Sequence, residues 1–188
     1  SQILLTLEDT EERRRSLNAK RTFENLFELG FIPIVNENDT IATTEIKYGD
    51  NDRLASRVTQ ITNADTLILL SDVDGLYTKN PKIFKDAKLI KIVKNLKKDL
   101  SNVNIKGMNE FGSGGMQTKI EAAKICQLAG SSMVIANGLN SNPITKIIEQ
   151  NNCTWFSPKV SKLDARKKWI ISSVAPKGEI IIDDGAKK

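Results

Sequence analysis

Short apolar runs of strand length alternate with amphipathic stretches of helix length over the first 70 residues, and this alternation constrains the fold more than any other feature. Residues 3–5 are apolar, and residues 9–12 supply an acidic helix start. Leu17, Phe23, Leu26, Phe27 and Leu29 then mark an amphipathic helix that Gly30 ends. Residues 31–35 form a second apolar run. Residues 51–62 predict a helix with Leu54, Ala55 and Val58 on one face, and residues 66–70 a buried strand with a continuous apolar run. Parallel strands need a crossover, usually a helix, and strands buried on both faces read as unbroken apolar runs. The order strand, helix, strand, helix, strand therefore predicts an α/β protein: a three-layer sandwich with a mainly parallel central sheet and helices on both faces.

The rest of the chain continues the pattern less evenly. After the turn-rich residues 72–81, a lysine-rich stretch predicts a short strand and helix. Gly114 and Gly115 open a helix through Leu128, with Ile120, Ala122, Ala123 and Ile125 apolar and Gly130 as its stop. Residues 132–136 predict a strand, Pro143 starts a helix through Glu149, and residues 154–156 a last strand. From Val160 the pattern loosens.

At 188 residues the chain suits one domain with a sizeable core. No apolar run approaches the roughly 20 residues that span a bilayer, and no charged-then-apolar leader opens the chain. A cytoplasmic protein without membrane association is expected. Residues 2–7 read as a strand already inside a fold, so the chain looks like a piece of a longer one. Cys126 and Cys153 come without a CxxC pair or any histidine, which excludes structural zinc and histidine-dependent acid–base chemistry. The net charge of +5 is spread along the chain, with only a mild lysine cluster at 82–98. A basic balance of this kind suits anionic small substrates; a nucleic-acid groove would need a clustered face with exposed aromatics.

Four polar segments carry the candidate chemistry. Asn36, Glu37, Asn38 and Asp39 follow the second apolar run, and Gly49, Asp50, Asn51 and Asp52 come a dozen residues later. Polar groups crowded at a strand's carboxyl end mark where ligands bind in open α/β sheets, although Asn and Asp are also ordinary turn formers. Ser71, Asp72, Val73, Asp74, Gly75, Leu76, Tyr77 and Thr78 come directly after the strand at 66–70, which puts Ser71 and Asp72 at its carboxyl edge. This segment resembles the start of a calcium loop but lacks the terminal glutamate at the required spacing, and Asp72 and Asp74 also suit a turn in which they bond nearby amides. Residues 107–119 form a glycine-rich loop running into a helix, and the amides at such a helix start favour an anion. Lys119 lies about one turn into that helix, within reach of whatever the loop holds. No Gly-Lys pair exists, so this is not a Walker loop.

Taken in this order, Asn36 to Asp39, Gly49 to Asp52, Ser71 to Thr78, Gly114 to Lys119 and the late Arg166-Lys167-Lys168-Trp169-Ile170 resemble the glutamate 5-kinases, a branch of the amino acid kinase family, through nearly the whole chain. The resemblance implies ATP-dependent phosphorylation of the γ-carboxylate of L-glutamate, the first step of proline synthesis. It implies ATP and Mg²⁺ as cofactors, proline as a feedback inhibitor and a homo-oligomer. By the same likeness Asp39, Asn51 and Asn36 hold glutamate, while Ser71, Asp72, Ser113, Gly114, Gly115, Met116, Gln117, Thr118 and Lys119 hold ATP. Lys119 and Asp52 are the catalytic pair, Asp52 orienting the lysine. Residues 1–159 match the carboxyl-terminal portion of the kinase domain, which lacks the family's first strand and two loops that contact phosphate and glutamate. Residues 160–188 resemble the linker toward a PUA domain. Two other readings remain open: another small-molecule kinase of this fold, such as an acetylglutamate or uridylate kinase, and a non-catalytic RNA-binding or regulatory module.

Overall fold

The computed structural model describes residues 1–39, 51–101, 103, 115–149 and 152–164. β1 (Gln2–Leu5) leads through Thr6 into α1 (Leu7–Glu11). The Thr6 hydroxyl accepts the Asp9 amide and the Asp9 carboxylate accepts the Thr6 amide, so two otherwise orphaned donors are satisfied reciprocally. Burial pushes the Asp9 carboxyl up, but the bonds from Thr6 and the nearby Arg15 outweigh it and hold the group below the usual aspartate value. Glu12 is extended (φ −72°, ψ 123°) and breaks the expected single helix, so α2 (Arg13–Glu28) begins anew.

β2 (Ile34–Glu37) lies further along the chain than the strand predicted at 31–35. The helix end explains the shift. Gly30 adopts φ +75°, its amide donates to the Phe27 carbonyl, and the Phe31 amide reaches back to the Leu26 carbonyl at 2.9 Å. Phe31 thus belongs to the left-handed cap of α2, and Pro33 carries no amide to donate to a ladder.

α3 (Asn51–Thr62), β3 (Thr66–Ser71), β4 (Ile92–Val93), α4 (Leu96–Asp99), α5 (Met116–Ala129), β5 (Ser132–Asn137), α6 (Pro143–Ile148) and β6 (Cys153–Phe156) complete the described elements, close to the predicted bounds. Gly130 ends α5 at φ +78°, where a side chain would also collide with the backbone of Lys162.

β1 pairs with β2 in parallel, and β3, β5, β6 and β4 form a second sheet in that order. Only the β5–β6 pair is antiparallel. The strands are mainly parallel as expected, but among the described residues they form two sheets rather than one. β5 is buried on both faces. Met133 and Ile135 join the core with Ala122, Ala123 and Cys126 of α5, while Val134 and Ala136 pack with Ile147 of α6 and Cys153 of β6. That is the predicted three-layer arrangement. The smaller sheet packs Leu5, Ile3 and Val35 against Ala19 and Phe23 of α2 and Leu54 and Ile61 of α3.

A cavity of about 480 Å³ is lined by residues of β2, α3 and β3. Asn36 of β2, Asn51, Leu54, Ala55 and Val58 of α3, and Leu67 of β3 contribute to its lining.

Candidate active site

α3 and α5 pack against one another, and their amino-terminal turns bring the central polar group together. Asp52 stands in the first turn of α3, where an acidic side chain complements the helix dipole. Lys119 stands in the first turn of α5, and its Nζ donates to Asp52 Oδ2 at 2.9 Å. Their side chains keep only 12% and 18% of their exposure, so solvent screens this pair far less than a surface pair. The Thr118 hydroxyl lies 3.0 Å from the same Oδ2 and 2.8 Å from the Gly115 carbonyl, so its one proton serves either acceptor. The pair expected to be catalytic is therefore brought together across 67 residues of sequence.

Asn51 precedes Asp52 and lines the cavity together with Asn36, so two of the three expected glutamate contacts share one space. Asp39 lies exposed beyond the end of β2 and is not among the residues lining that cavity. Ser71 is the last residue of β3, with its hydroxyl 3.2 Å from Asp72 Oδ1. Gly115 is the residue before α5 and has no side-chain cap bond, so the helix start is left with the amide donors that suit an anion. Met116 is buried, and Gln117 Nε2 faces Glu121 Oε1 at 3.4 Å. Gly49, Asp50, Ser113, Gly114 and residues 166–170 lie outside the described residues.

Two features escaped the sequence reading. Thr118, expected to contact ATP, also bonds Asp52. Asp74 bonds side chains rather than the nearby amides a simple turn would use: Asn137 Nδ2 and the Tyr77 hydroxyl each donate to it at 3.1 Å. The only hint was the polar Asn137-Gly138 end of an apolar strand. Neither cysteine is a candidate nucleophile. Both are buried, and burial pushes the Cys126 thiol up to about 12. Among the described residues no three His, Cys, Asp or Glu side chains come together as metal ligands, and no helix there is long and apolar enough to cross a membrane.

A mixed α/β scaffold with a half-buried acid–lysine pair, near a polar-edged cavity and a helix start suited to an anion, has features that suit phosphoryl transfer. A family model for the amino acid kinase family matches residues 1–137. The chain belongs to the amino acid kinase family. It is 76% identical over 188 residues to a glutamate 5-kinase of Pelagibacter ubique, covering all of this chain and 51% of that protein. A glutamate 5-kinase of Agrobacterium fabrum is 50% identical over 187 residues, covering 100% of this chain and 48% of that protein. The chain thus spans about half the length of these curated relatives. Among solved structures, UMP kinase from Ureaplasma parvum superposes with a TM-score of 0.53 at 20% identity, over 73% of this chain and 52% of that one. Carbamate kinase from Giardia lamblia gives 0.53 at 20% identity, over 73% and 44%. At that identity the likeness establishes the fold alone.

Proposed function

We propose that the protein to which this chain belongs phosphorylates the γ-carboxylate of L-glutamate with ATP. A γ-carboxylate oxygen attacks the terminal phosphorus of ATP, the bond from that phosphorus to the bridging oxygen breaks, and ADP leaves with glutamyl 5-phosphate as the other product. The observation that carries this reading is the Lys119–Asp52 pair next to Asn51, in a chain 76% identical to a glutamate 5-kinase. Two anions must meet for this reaction, so the protein mainly supplies positioning and positive charge.

In this reading Asn36 and Asn51 hold glutamate from the cavity, and Asp39 pairs with its α-ammonium from beyond β2. Ser71 and Asp72 at the carboxyl end of β3, with residues 113–119, hold ATP. Lys119 stabilises charge on the moving phosphoryl group, and Asp52 with Thr118 keeps its ammonium aimed. Mg²⁺ would supply charge neutralisation to the phosphates when bound together with ATP.

Residues 1–159 form part of the kinase domain and residues 160–188 a linker toward a further domain. A cytoplasmic homo-oligomer inhibited by proline rests on the resemblance alone. The test is turnover of the full-length protein, with acyl phosphate trapped by hydroxylamine. ADP release that requires glutamate and yields the hydroxamate is expected; release driven instead by N-acetylglutamate or UMP would replace the substrate.

A further inference from the structure

The turn after β3 is tied down from two sides, and one tie runs through a carboxylate that the reaction scheme above does not use. Asp74 Oδ1 accepts from Asn137 Nδ2 and Asp74 Oδ2 from the Tyr77 hydroxyl, both at 3.1 Å. Asn137 is the last residue of β5, and its own side-chain oxygen accepts the Leu139 amide at 2.9 Å. Next to it the Gly138 amide donates to the Ser71 carbonyl at 2.8 Å. Gly138 lies so near β3 that an added Cβ would sit 2.9 Å from the Leu70 Cβ. The carboxyl ends of β3 and β5 are thus joined twice, by backbone at Ser71 and by side chains at Asp74. On the other side of the turn, Gly75 lies too close to Thr154 for any side chain, and the Leu76 amide donates to the Thr154 hydroxyl at 2.8 Å.

A turn that needed only local support would use amides two or three residues away. Asp74 instead spans 63 residues to reach the neighbouring strand. Both its oxygens are occupied by protein donors, so it is poorly suited to hold a ligand itself. What it fixes is the segment starting at Ser71 and Asp72. We propose that Asp74 is a positioning residue for the nucleotide, holding Ser71 and Asp72 at the edge where ATP binds by locking their turn to the end of β5 through Asn137. This inference rests on the nucleotide placement proposed above. A displacement of an ångström or so at a binding edge weakens the contacts made there without removing any of them.

Tyr77 provides a separate readout. Burial and the Asp74 carboxylate both push its phenol above the ordinary tyrosine value. Loss of the carboxylate removes the second cause.

The experiment uses the full-length protein with Asp74→Ala, Asp74→Asn and, as a control, Asp86→Ala. Asp86 pairs with Lys79 in the same excursion of chain but faces solvent, away from β5. Calorimetry measures ATP affinity, kinetics the KM for glutamate, and ultraviolet titration the phenols. Asp74→Ala should weaken ATP roughly five- to tenfold, the scale of one hydrogen bond to a charged group acting indirectly. Its glutamate KM should stay within about twofold and a tyrosine should titrate at lower pH. Asp74→Asn should fall between, since its amide oxygen still accepts one donor, and Asp86→Ala should match wild type. Unchanged ATP affinity in Asp74→Ala would overturn the inference. So would equal losses for ATP and glutamate with a lowered melting temperature in both Asp74 variants, or an equal ATP loss in Asp86→Ala. If the wild type binds ATP but does not turn over glutamate, the functional reading fails and the ATP affinities still decide the role of Asp74. If it binds no ATP, both fail.

Discussion

β5 and β2 each pair in parallel with a neighbour, β3 and β1, yet one is covered on both faces and the other on one. Met133, Val134, Ile135 and Ala136 of β5 are all buried, alternately against α5 and against α6. In the smaller sheet Leu5 and Val35 point to α2 and α3, while Leu4 and Ile34 on the opposite face remain 45% and 70% exposed. β3 stands between these extremes, with Leu69 buried and Ile68 and Leu70 open on the second face. The nucleotide side of the proposed site therefore rests on β3 and α5 beside the doubly covered β5, and the glutamate side on a half-covered sheet bordering the cavity. A strand covered on both faces holds its side chains within narrow limits; a half-covered sheet does so less well.

The largest expected contrast is in stability. Ile135→Ala in the 188-residue chain should cost about 2–5 kcal/mol, because it empties space in a packed core. Ile34→Ala should stay within about 0.5 kcal/mol, as surface changes usually do. Chemical denaturation of both variants measures the difference, and equal losses would mean that the second face of β2 is covered after all.

A smaller, sharper contrast lies within β3. The Ser132 amide donates to the Asp65 carbonyl and the Gly138 amide to the Ser71 carbonyl, and the parallel register between them aims Leu67 and Leu69 at β5. Thr66, Ile68 and Leu70 then direct their amides toward the cavity side. Hydrogen exchange of the 188-residue chain should alternate along the strand, slow at Leu67 and Leu69 and faster at Ile68 and Leu70. Uniform protection would show that something pairs with this edge.

Much of the fold was legible because the signals were local. α3 begins at Asn51 and ends at Thr62 as the periodicity indicates, and Gly115 and Gly130 bracket α5 as start and stop residues should. β2 was misplaced because Phe31 was drawn into the cap of α2, a geometry that an apolar run does not announce. The division into two sheets was not legible at all, since an apolar run does not say which strand lies beside it. The site behaves the same way. Asn51, Asp52 and Lys119 stood out within their polar segments, but the pairing of Asp52 with Lys119 was legible only by resemblance, because a carboxylate and an ammonium 67 residues apart carry no spacing signal. The Asp74–Asn137 bond, spanning 63 residues, had no signal beyond two polar residues at strand ends.

The central claim is that Lys119, held by Asp52, stabilises the transferred phosphoryl group. The most direct measurement is kcat of the full-length protein carrying Lys119→Ala, with ATP and glutamate both saturating and melting temperature recorded alongside. Removing one preorganised contact of this kind typically costs about a hundred- to a thousand-fold in turnover, so the account predicts that loss with the melting temperature largely kept. Turnover near the wild-type value in Lys119→Ala would contradict it.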